Sequence, residues 1–279
     1  GDPQITFWKG VYRRHTHFAI ESIENTFNGS ATEGSTASCV ISRNADLLSS
    51  VHLQVEGTVE SSDAVNIGYN LVSQVDVHIG GQMIDRQYGS WMELWDELTL
   101  PQEKATGYNE MIGATGSSSA AANATPVLYI PLKFWFCRHP GSAIPLVALQ
   151  FHEVKLTFQF GTVNNFITSS IKLFADYVYL DEEERQRFSQ SAQEYLIEQV
   201  QHHEANLVTG TNTISMPFNH PVKELVWRTL TSSSAASAMD DGTKITFNNQ
   251  DRASPRPEGY YRLVQPYQHH TRVPDAANV

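Results

Sequence analysis

Three side chains near the start of the chain have the types and spacing to bind a metal: His15, His17 and Glu21, in the pattern His-x-His-x3-Glu. Two imidazoles and a carboxylate form a donor set suited to Fe, Mn or Zn. On an extended strand all three lie on one face, which suits a solvated edge equally well. The pairs His202-His203 and His269-His270 diverge on any strand, so they read as turn and surface residues. The carboxylate pairs Asp96/Glu97 and Asp240/Asp241 read as charged faces or loops. A basic knot, Lys9, Arg13 and Arg14, could meet phosphate or an acidic partner, yet three charges do not outweigh a net charge of −11. That acidic balance argues against wrapping nucleic acid, whose binding rests on a basic footprint. Asn28-Gly29-Ser30 and Asn123-Ala124-Thr125 match the N-glycosylation acceptor triplet, each in an expected turn or loop. No Gly-x-Ser-x-Gly elbow, phosphate-binding loop or dinucleotide fingerprint is present, and Gly113-x-x-Gly116 reads as loop.

The histidine motif resembles the first metal motif of the cupins, which implies a second imidazole after a Pro-x-Gly turn. None is found, and Gly10 and Gly29 are each one residue out of the cupin spacing. His152 sits on a strand-like run without that turn. The reading from the residues is therefore structural, with no metal, cofactor or catalytic group assigned. Cys39 and Cys137 make no disulfide framework and read as reduced, buried thiols. The 279 residues give ample material for one large or two ordinary domains, and no run of 18 apolar residues exists to span a membrane. Thirteen Phe and eleven Tyr suit a β-rich protein with much buried or interfacial surface.

The elements that would position these residues are mostly strands. Alternation marks strands beginning at Phe18, at 36–42 and at 51–55, each bounded by turn residues. Residues 75–79 and 82–85 flank Gly80-Gly81, a two-residue hairpin turn. Ser90 and Glu93 form a capping-box pattern, with Trp91, Leu94, Trp95 and Leu98 at helical spacing and Pro101 barring continuation. Residues 113–125 are low in complexity and read as an exposed, mobile tip. Strands are expected again at 127–136, 146–151, 154–160 and 171–180, the last apolar on both faces. This makes about eight strands, the number that fills a two-sheet jelly roll.

Asp181, with Glu184 three residues on and acidic residues in the first turn, caps a short helix. Only Phe188 and Ala192 give it an apolar stripe, so it reads as a surface connector. Beyond it the pattern predicts strands at 195–200, 213–216, 222–230, 245–247 and 260–267, with another flexible loop at 232–238. Five strands would leave open sheet edges. The sequence is accordingly expected to be a segment of something longer, as its start without Met also suggests.

Residues 1–22 (GDPQITFWKGVYRRHTHFAIES) closely resemble the opening of the double jelly-roll major capsid proteins of nucleocytoplasmic large DNA viruses. Residues 79–98 (IGGQMIDRQYGSWMELWDEL), 129–154 (YIPLKFWFCRHPGSAIPLVALQFHEV), 173–201 (LFADYVYLDEEERQRFSQSAQEYLIEQVQ) and 218–227 (FNHPVKELVW) look like the same family.

The resemblance implies an all-β chain of two tandem antiparallel jelly rolls: residues 1–180, a connector helix at 181–193, and an incomplete second roll at 194–279. It also implies homotrimers that form pseudo-hexagonal capsomers and tile an icosahedral shell. The expected partners are the chain itself, neighbouring capsomers, minor capsid proteins and an internal membrane beneath the shell, with assembly in the host cytoplasm. No direct nucleic-acid contact, no cofactor and no enzymatic activity are expected. Asn28 and Asn123 are candidate glycan sites. The alternatives are a minor capsid or carbohydrate-binding jelly-roll protein, and a cupin-like metalloenzyme.

Overall fold

Alternating strands pair into two four-stranded antiparallel sheets in the computed structural model, which describes residues 15–61, 64–208, 210–228 and 242–274. The strands are β1 (Phe18–Asn25), β2 (Thr36–Val40), β3 (Leu47–Val59), β4 (Val72–Ile79), β5 (Gln82–Tyr88), β6 (Val127–Pro131), β7 (Val154–Phe160) and β8 (Phe166–Leu180). One sheet runs β1-β8-β3-β6 and the other β2-β7-β4-β5, the interleaved order of a jelly roll.

The core lies between the sheets and follows the period of two. Leu48, Val51, Leu53, Val55 and Val59 of β3 face Val154, Leu156, Phe158 and Phe160 of β7 across it. Phe158 and Phe160 stack at 5.6 Å, and Phe27 meets Phe158 edge-on at 5.6 Å. Burying each such ring stabilises the fold by about 1.5–3 kcal/mol. Gly57 marks an irregularity in the β3–β8 register, and a Cβ there would lie 2.3 Å from the Phe166 ring. The Gly80-Gly81 turn joins β4 to β5 with φ of +60° and +82°, as a primed hairpin requires.

Several sequence expectations are corrected. Strand β8 is buried on one face only: Ile171, Leu173, Ala175 and Tyr177 point inward, while Lys172, Phe174 and Asp176 are half-covered. The expected strand at 127–136 stops at Pro131, and Trp135–Arg138 forms a helical turn, α4, followed by a short turn at Pro140–Ser142. Residues 146–151 are turns, because Arg43 takes the carbonyls of Leu149, Gln150 and His152 that a ladder would need.

Between the sheets' strands lie α1 (Ile67–Leu71), α2 (Gly89–Thr99) and α3 (Gln102–Ile112), the last not foreseen because only Ala105 and Ile112 of it are buried. Helix α2 starts one residue before Ser90, so the capping box does not form; a Cβ on Gly89 would lie 1.9 Å from the Tyr69 carbonyl. Residues 113–125 are pinned rather than a loose tip. Ala114 and Ala120 are buried, and the Glu110 carboxylate accepts the N–H groups of Ser118 and Ser119 at 2.9 and 3.0 Å.

Helix α5 (Glu182–Gln190) follows β8 directly, with Asp181 accepting the Glu182 N–H at 2.8 Å and no residue buried. After it, of the expected strands only the one at 245–247 forms among the described residues, as the two-residue strand Thr246–Phe247. Residues 195–200, 213–216 and 222–228 run without a ladder, and β9 (Thr246–Phe247) with β10 (Gln250–Asp251) makes the one small hairpin there. Residues 260–267 are helical, through a wide turn at Tyr260–Val264 and α6 (Gln265–His269). Strand-like sequence becomes sheet only when a partner takes its backbone groups. The loop expected at 232–238, the basic knot and Asp240/Asp241 lie outside the described residues.

Candidate functional site

Helix α2 and strand β5 are the platform on which the second part of the chain docks. The Arg138 guanidinium lies 4.1 Å above the Trp95 ring and 2.6 Å from the Glu198 carboxylate, which also pairs with Lys223. Glu93 holds Arg228 at 2.8 Å and accepts from Asn66 at 2.6 Å, and the Arg272 N–H donates to the Leu98 carbonyl at 3.1 Å. Asp85, 3% exposed, accepts the Val200 N–H at 2.9 Å and the Gln87 amide at 3.1 Å. Ile197 adds an apolar contact to the core of the roll. Helix α5 is tied down as well: Arg185 reaches the buried Asp46 at 2.8 Å, and Asp46 accepts the Leu180 N–H at 2.8 Å.

Burial raises the Asp85 carboxyl to about 6, against hydrogen bonds from Val200, Gln87 and Arg86 and the Arg138 charge, which all pull it down. The same burial lowers Arg138, opposed by Glu198 and Asp85. Burial pushes the Cys39 thiol up to about 11 and Cys137 up to about 12, so neither is a thiolate nucleophile at neutral pH. The two cysteines are unbridged.

Asp96 corrects the surface reading given to it from sequence. It is 6% exposed, accepts both the Tyr69 and Tyr108 hydroxyls at 2.6 Å, and pairs with Lys133 at 2.7 Å. Burial and the Asp96 charge both raise the two phenols far above their ordinary range. Glu97 does lie at the surface side of α2, 3.6 Å from Arg272. Nothing local in the sequence announces this cluster, because its four members come from α1, α2, α3 and the segment after β6.

His15, His17 and Glu21 are exposed, and β1 is an edge strand; Glu21 accepts the Tyr179 hydroxyl at 3.2 Å. Among the described residues no three His, Cys, Asp or Glu converge on a metal position. His202 packs on Tyr88 with ring centres 4.8 Å apart, and His270 pairs with Glu224 beside Trp95. His203 and His269 are exposed.

Asn28 and Asn123 are both exposed. Asn28 exchanges backbone hydrogen bonds with Ser38, and the Asn123 N–H donates to the Val59 carbonyl at 2.8 Å. They occupy different places: Asn28 bridges Ser38, midway along the β1/β2 edge of the sandwich, whereas Asn123 sits at one end, beside the close of β3 where β8 begins.

Residues 6–181 match the family model described as "Major capsid protein N-terminus", and residues 184–279 match "Large eukaryotic DNA virus major capsid protein". The major capsid protein of Pyramimonas orientalis virus is 45% identical over 98% of this chain and 73% of its own length. That of Paramecium bursaria Chlorella virus 1 is 35% identical over 96% of this chain and 74% of its own. The solved structure titled "PBCV-1 virus capsid, quasi-atomic model" superposes with a TM-score of 0.83 and 32% identity, covering 94% of this chain and 77% of that one. The fold is that of a double jelly roll whose second roll is incomplete among the described residues. A sandwich with a docked connector fits these relatives. The chain belongs to the major capsid protein family of large eukaryotic DNA viruses and is a structural protein of the virion shell, assembling with copies of itself and with neighbouring capsomers.

Proposed function

We propose that this chain forms homotrimers, six jelly rolls giving a pseudo-hexagonal capsomer, and that it makes and breaks no covalent bond. The observation that carries the reading is the connector: α5 is capped by Asp181 and held to the first roll through Arg185 and Asp46, so it leaves that roll in a set direction. Trimers of this kind bury upwards of about 2,000 Å² through packing and complementarity, with no catalytic group required. The same helix supports a division into residues 1–180, 181–193 and 194–279, and so do the two family models, which meet beside it.

One inserted alanine in α5 turns everything after it by about 100° at 3.6 residues per turn. The expected outcome in size-exclusion chromatography with light scattering is loss of the trimer; surviving trimers overturn the spacer reading. Minor capsid proteins and an internal membrane are the remaining partners of such a shell, and the acidic balance of −11 speaks against direct nucleic-acid contact. Asn28, exposed on the β1/β2 edge, and Asn123, exposed at one end of the roll, are the positions where glycans would attach. Peptide mass spectrometry of particles tests this, and unmodified peptides covering both positions refute it.

A further inference from the structure

A bare aromatic stands on a rigid support at the end of the sandwich opposite Asn123. Phe151 is 93% exposed, yet its loop is not loose. The Arg43 guanidinium donates to the carbonyls of Leu149, Gln150 and His152, clamping the turn on both sides of the ring. The Gly80 N–H holds the Glu153 carbonyl at 3.0 Å, fixing the loop to the β4–β5 hairpin, whose Met83 is itself 50% exposed. Holding one large apolar ring in water on a clamped turn has no folding advantage, since the ring touches no core.

Beside this knob lies an open cleft of about 400 Å³. Ala45, Leu146 and Val147 give it apolar lining, and Arg43, Asp46 and Arg185 give it a charged rim. Asp46 is neutralised by Arg185, while Arg43 spends its donors on carbonyls, so the rim keeps a net positive charge. Glu153, exposed two residues from the knob, carries the complementary sign. Knob and cleft lie almost side by side on one chain. That arrangement suits a reciprocal, two-fold contact in which each copy both inserts and receives.

We propose that Phe151 seats in this cleft on a second copy of the chain in a neighbouring capsomer, with Glu153 facing the Arg43 and Arg185 rim. The contact would join capsomers, and it rests on the self-assembly reading above. Rigid aromatic anchors filling a pocket are the groups that dominate such interfaces.

The test uses the full chain with a photo-crosslinking phenylalanine analogue at position 151, alongside Phe151→Asp and Val147→Asp. The expected result is covalent dimers whose crosslink maps to residues 43–46, 146–147 or 185 of another copy. Either aspartate variant should keep the wild-type circular dichroism and trimer, and weaken association beyond the trimer at least tenfold. Association beyond the trimer that survives both substitutions, or crosslinks mapping elsewhere, overturns the contact. Loss of the trimer itself in Phe151→Asp would move the contact inside the capsomer and overturn the two-fold assignment. A wild-type chain that stays monomeric refutes the trimer reading instead.

Discussion

The residues before and after α5 carry similar apolar alternation and end in opposite states. In the first roll Leu53 of β3 is 0% exposed; in the second part Leu196, in a run just as strand-like, is 95% exposed. Composition does not separate them. Leu53 sits on a strand paired on both sides, with β6 and β8, and faces a second sheet. Leu196 has no ladder, and its segment is held by side chains instead: Glu198 on Arg138, and Val200 on Asp85. Sheet formation is cooperative across strands, so an alternating segment is only an offer of one face, accepted when a neighbour satisfies its backbone.

Substitutions can break this contrast. Phe158→Ala, in the centre of the paired core, should cost about 3–5 kcal/mol in denaturant unfolding, as a buried ring replaced by a cavity does. A loss below about 1 kcal/mol would mean the sandwich is not the stable unit.

Asp85 probes the junction itself. Burial raises its carboxyl from the ordinary aspartate value of 3.8, which it keeps in the unfolded chain, to about 6 in the folded one. The fold therefore binds the proton more tightly, and the stabilisation is fully present below about pH 4 and lost as pH rises through about 6. Asp85→Asn should remove this slope, by an amount of order 3 kcal/mol between pH 4 and pH 7 in wild type minus variant. Melting curves of the two proteins across that range check it, and parallel curves would show that the carboxyl is not buried at the junction. At the other extreme, Leu196→Ser should change stability by less than about 0.5 kcal/mol, as an exposed position does. A large loss would reveal that residues 195–200 are paired in solution.

What could be read in advance was local. The Gly80-Gly81 hairpin, strand β7 at Val154–Phe160 and the Asp181-capped helix each depend on residues within a few positions of one another. The capping box at Ser90 was equally local and still failed, because the close approach of Tyr69 to Gly89 moved the helix start. Pro131 and the Arg43 clamp similarly cut short strands that alternation had extended. Of the candidate site, the exposure of Asn28 and Asn123 was legible from their turn residues, and the roles of Asp85, Asp96, Arg138 and Trp95 were not.

By itself the sequence determined that this is an all-β chain interrupted by a charged connector, since period-two patterning and helix caps act over short distances. Its long ordered strings also pointed to the capsid family. Tertiary structure alone decided which alternating runs became sheet, which carboxylates went inside, and where a bare phenylalanine was held out to water. Those outcomes depend on groups 12 to 152 residues apart meeting in space, as Tyr177 and Asn25 do at 3.1 Å, and no local pattern encodes such a meeting.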